Sequence, residues 1–63
     1  MIITEEDAIR ILILLSHYLS REGVNVIKDP GIEGLGEVKL ARRIGEEFPD
    51  LKSNVEMALK GDY

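Results

Sequence analysis

The longest apolar pattern in the chain lies in residues 5–22, EEDAIRILILLSHYLSRE. Its core, IRILILL, is rich in isoleucine and could pass for a strand. Length and both end signals favour a helix instead. Thr4 can accept a hydrogen bond from an orphan backbone N–H, and Glu5, Glu6 and Asp7 suit the positive end of the dipole. Arg21 stands in the last turn and Gly23 just beyond it, as expected of a helix stop. At about 100° per residue, Ala8, Ile11, Leu12, Leu15, Tyr18 and Leu19 share one face. Ile9 and Ile13 fall on one flank of that face and Leu14 on the other. Arg10, His17 and Arg21 form the only clearly polar wedge, with Ser16 and Ser20 near its edge. The apolar surface is wider than the stripe of an ordinary surface helix, so it needs cover on more than one side.

Val24 to Ile27 alternate in polarity and predict one very short extended segment. DPGIEGLGE, residues 29–37, then crowds three glycines and a proline into a bend. A second helix is expected over EVKLARRIGEEF, with Leu40, Ala41, Ile44 and Phe48 inward. Lys39, Arg42, Arg43, Glu46 and Glu47 lie mostly outside it. Gly45 weakens this helix by about 1 kcal/mol relative to alanine, and Pro49 stops it. DLKSNVEMALKG predicts a third helix capped by Asp50, with Leu51, Val55, Ala58 and Leu59 inward and Gly61 at its end. The expected fold is all-α: a single three-helix domain over residues 1–63, with a long apolar first helix and a glycine-rich loop after it.

The second and third helices offer fewer inward side chains than the first requires. A large apolar patch is rarely left in water, and a second copy of the chain is the simplest cover. The alternative is that Ile32 and Leu35 fold back from the loop over Ile9 and Ile13. The first reading predicts a homodimer, with Ile9, Ile13 and Leu14 as the self-association residues.

Composition narrows the chemistry. Sixty-three residues make one small domain, with little room to enclose a catalytic pocket. There is no cysteine and one histidine, so neither a disulfide nor an ordinary zinc site is expected. No cofactor is expected and the chain is read as non-catalytic. His17 has no serine and acid arranged beside it as a triad would require. Ser16 and Ser20 read as small residues that allow close helix packing. The net charge of −4 does not announce a polyanion partner. No apolar run reaches membrane-spanning length, and MIITEED lacks the basic start of a signal peptide, so a cytoplasmic protein is expected. Charged residues make up 32% and glutamine is absent, a thermophile-like bias.

The glycines at 31, 34 and 36 run in the wrong order for a dinucleotide fingerprint, and no Gly-Lys-Ser/Thr follows for a phosphate loop. PGIEGLGEVKLARRI resembles a helix-hairpin-helix, but Leu40 stands where that motif has alanine. KLARRIG and SNVEMALKG, within residues 38–61, resemble the two helices of the helix-turn-helix and truncated winged-helix superfamily. Leu40, Ala41, Ile44 and Gly45 match its first helix; Val55, Leu59 and Gly61 match the second. EEFPDL makes the turn about four residues longer than usual. The resemblance implies DNA binding through a basic face, for which Lys39, Arg42, Arg43, Lys52 and Lys60 are the candidates. Glu46, Glu47, Asp50 and Glu56 interleave with them and oppose a phosphate backbone. The leading expectation is therefore a homo-oligomeric module that binds another protein, with a small DNA-binding regulator as the alternative.

Overall fold

The computed structural model describes residues 2–63, and among them it is all-helical. Helix α1 spans Glu5–Glu22, α2 spans Gly36–Glu47 and α3 spans Lys52–Lys60. Short 3-10 turns, Pro30–Ile32 and Pro49–Leu51, precede α2 and α3. The start of α1 follows from Thr4, whose Oγ1 accepts the Asp7 backbone N–H at 3.1 Å. Its end follows from Gly23, which is left-handed at φ 69° and donates to the last carbonyls of the helix.

One core holds the three helices together. Ala8, Leu12, Leu15 and Leu19 of α1 are buried against Val38, Ala41 and Ile44 of α2 and Val55, Ala58 and Leu59 of α3. Val26 and Leu51 complete this core. Ser16 is also buried, beside the apolar residues of α1. Its hydroxyl accepts the backbone N–H of Tyr63 at 2.9 Å, and the Tyr63 hydroxyl accepts from Asn54 Nδ2 at 2.7 Å. The last residues are thereby tied to both α1 and α3. Gly61 enables this return: at φ 75° it is left-handed, and a Cβ there would lie 3.4 Å from the Ser20 backbone. Close packing at Ser16 and Ser20 is thus borne out, and Ser16 in addition satisfies the chain end.

Several details differ from the sequence expectation. The segment after α1 is a turn and not a strand, because the Asn25 side chain captures it. Asn25 Oδ1 accepts from the N–H groups of Ile27 and Lys28, at 3.0 and 3.2 Å. The Val26 N–H donates to the Leu59 carbonyl at 2.9 Å, which pins the turn to α3. Asp50 does not cap the third helix: it sits within the 3-10 turn, and α3 begins two residues later. Leu51 N–H donates to the Phe48 carbonyl at 2.8 Å, so the tight turn forms before the helix does.

The inward face of α2 is rotated from the expected one. Val38 and Gly45 are buried with Ala41 and Ile44, while Leu40 points outward. Gly45 lies on the side of α2 turned to α3. An added Cβ would meet Val55 Cγ2 at 3.4 Å, so α2 and α3 are in close contact here. α3 lies along α1, and α2 packs chiefly on α3, touching α1 only lightly. A gap is left between α1 and α2.

Candidate interaction site

That gap is an apolar groove of about 260 Å³, lined by Ile11, Leu14, Leu15, Tyr18, Glu37 and Leu40. Five of the six lining residues are apolar or aromatic, and Glu37 supplies the only charge at the rim. Leu14 is 68% exposed, Tyr18 46% and Leu40 38%. Leu15 forms the floor and belongs to the core. Ile11 is half-buried between floor and surface.

The structure separates the three expected self-association residues. Leu14 lines the groove, whereas Ile9 and Ile13 lie on the far flank of α1, beyond Arg10, His17 and Arg21. Ile9 is partly buried and packs on the core, and Ile13 is half-buried. Ile32 of the loop also packs on the core, but Leu35 remains exposed. Part of the apolar excess of α1 is therefore covered within the chain. The uncovered part sits on the Leu14 flank, joined by Tyr18 and Leu40. The periodicity of the sequence places both of these inward. They point outward because α2 turns its Gly45 side toward α3 and withdraws Leu40 from α1.

Lys39, Arg42, Arg43, Lys52 and Lys60 are all exposed. The fold brings Arg42 and Lys52 together in a second cavity of about 450 Å³ between α2 and α3. Glu46 and Glu56 line it too, so two cations face two carboxylates. Arg42 also reaches back to the loop, donating to both carboxylate oxygens of Glu33. Hydrogen bonding from Arg42 holds the Glu33 carboxyl below its ordinary value of 4.5. The same bond raises the Arg42 guanidinium further above its ordinary range. Lys52 and Lys60 stand at opposite ends of α3.

His17 is exposed on α1. Among the described residues, no group of three or more His, Cys, Asp or Glu side chains could hold a metal ion. Nor is any helix among the described residues long and apolar enough to cross a membrane. No protein-family model, curated protein or solved structure matches this chain.

Proposed function

We propose that this chain is a non-catalytic, homo-oligomeric interaction or adaptor module, in which the α1–α2 groove docks on a second copy. The observation that carries the reading is the exposure of Leu14, Tyr18 and Leu40 around one groove. Three large apolar side chains lining one groove on so small a surface favour association over solvation. A symmetric pair is the commonest way to cover such a patch. A cytoplasmic setting belongs to the proposal and is supported by the cysteine-free composition.

The test is native mass by light scattering for two variants. Leu14→Asp places a charge on the exposed wall of the groove, so the dimer dissociates while helix content is kept. Ile13→Asp, on the far flank, leaves the mass at that of the wild type. Dissociation by Ile13→Asp with Leu14→Asp unaffected would assign the surface to the wrong flank.

A second reading, a small helix-turn-helix DNA-binding regulator, is supported by the close contact of Gly45 with Val55 where α2 and α3 meet. Its basic face would comprise Lys39, Arg43, Lys52 and Lys60, with Arg42 partly engaged by Glu33. It requires binding of duplex DNA at low salt that weakens steeply as salt rises. Unchanged migration of duplex DNA at micromolar protein dismisses it.

A further inference from the structure

We infer that the two copies pair antiparallel through α1, with Leu14 at the two-fold axis and Asp7 of each copy against Arg21 of the other. This rests on the self-association reading and adds its register. Asp7, Leu14 and Arg21 are spaced seven residues apart, so they form one line along α1, drifting only about 20° per step. All three are exposed. Asp7 and Arg21 stand about 10 Å from Leu14 along the axis, in opposite directions.

A two-fold axis through Leu14 therefore superposes Asp7, in the acidic first turn of one helix, on Arg21, in the last turn of the other. Both ion pairs form at once, because the interface is isologous. A parallel pairing would set Asp7 on Asp7 and Arg21 on Arg21, like against like. The antiparallel arrangement also opposes the two helix dipoles. Asp7 and Arg21 take no part in the ion pairs of Glu6 with Arg10 and Glu33 with Arg42.

The apolar part of the line fits the same register. Ile11 and Tyr18 flank Leu14 on the side facing α2, on either side of it along the helix. The two-fold axis brings Ile11 of one copy to Tyr18 of the other, and keeps both α2 helices on the same side of the pair. Leu40 then closes the groove from above. A standard interface removes about 800 Å² per partner. That is about a fifth of the 4172 Å² surface of this chain.

The test is charge exchange, with dimer dissociation followed by analytical ultracentrifugation at low salt and helix content by circular dichroism. Asp7→Lys and Arg21→Glu each replace two attractions with two repulsions, and each weakens the dimer about tenfold or more. The double variant Asp7→Lys/Arg21→Glu recreates both pairs with reversed sign and returns the dimer toward wild-type strength. If either single variant loses helix content, Asp7→Asn and Arg21→Gln serve instead. Each then weakens the dimer, and the double variant is no weaker than the singles. A dimer that Leu14→Asp dissociates but whose strength ignores these charges overturns the antiparallel register and leaves the self-association reading standing. A chain that is monomeric throughout overturns both.

Discussion

Glu33 and Arg42, nine residues apart, form an ion pair that ties the loop to α2. It spans the loop before α2 and the outer face of α2 itself. Because the folded Glu33 carboxyl sits below its ordinary value, the pair favours the folded loop above that value. The contribution is lost as pH falls through the lowered one. Following the Glu33 carboxyl by NMR should give a titration midpoint below 4.5 in the wild-type chain. The Arg42→Ala variant should return it to the ordinary carboxylate range. An unshifted Glu33 in the wild type would mean that the pair does not persist in solution. The same pair bears on the DNA-binding reading, since Arg42 would have to leave Glu33 before it could meet a phosphate.

At the scale of elements, Gly45 lies where α2 packs against α3. Its site is helical, so alanine gains about 0.5–1 kcal/mol of intrinsic helix preference. The added methyl reaches Val55 Cγ2 at 3.4 Å, an ordinary contact distance. Gly45→Ala should therefore raise the unfolding free energy by up to about 1 kcal/mol in urea titration. Gly45→Leu should instead lower it by about 1–3 kcal/mol, because the larger side chain drives the helices apart. Equal stability for the two variants would contradict a close contact at this point. The ends of α1 were legible from Thr4 and Gly23, and so were the inward residues Leu51, Val55, Ala58 and Leu59. For α2 the periodicity places Leu40 inward, whereas the fold buries Val38 and turns Leu40 out. Periodicity alone does not resolve so small a rotation when both neighbours are apolar. Gly45 was the available signal, since a glycine inside a helix often marks a close approach and not merely a weak point. The turn at Asn25 was missed because a capping amide reads, in sequence, like any polar position in an alternating segment.

At the scale of the whole molecule, the surplus of apolar surface on α1 was legible, but its location was not. Where it emerges depends on how the second and third helices divide the work of covering the first. α3 takes most of that contact, Ile32 of the loop packs on the same core, and α2 stands partly aside. The residue is the groove bounded by Leu14, Tyr18 and Leu40. The candidate basic residues, by contrast, are scattered over both helices and interleaved with carboxylates, as their order in the chain implied. Light scattering on the wild-type chain and on Leu14→Asp, over protein concentrations up to about millimolar, tests the central claim most directly. The account predicts a mass twice the 7.1 kDa of the chain for the wild type and the single-chain mass for a folded Leu14→Asp. A wild-type mass of one chain across the whole range would contradict it.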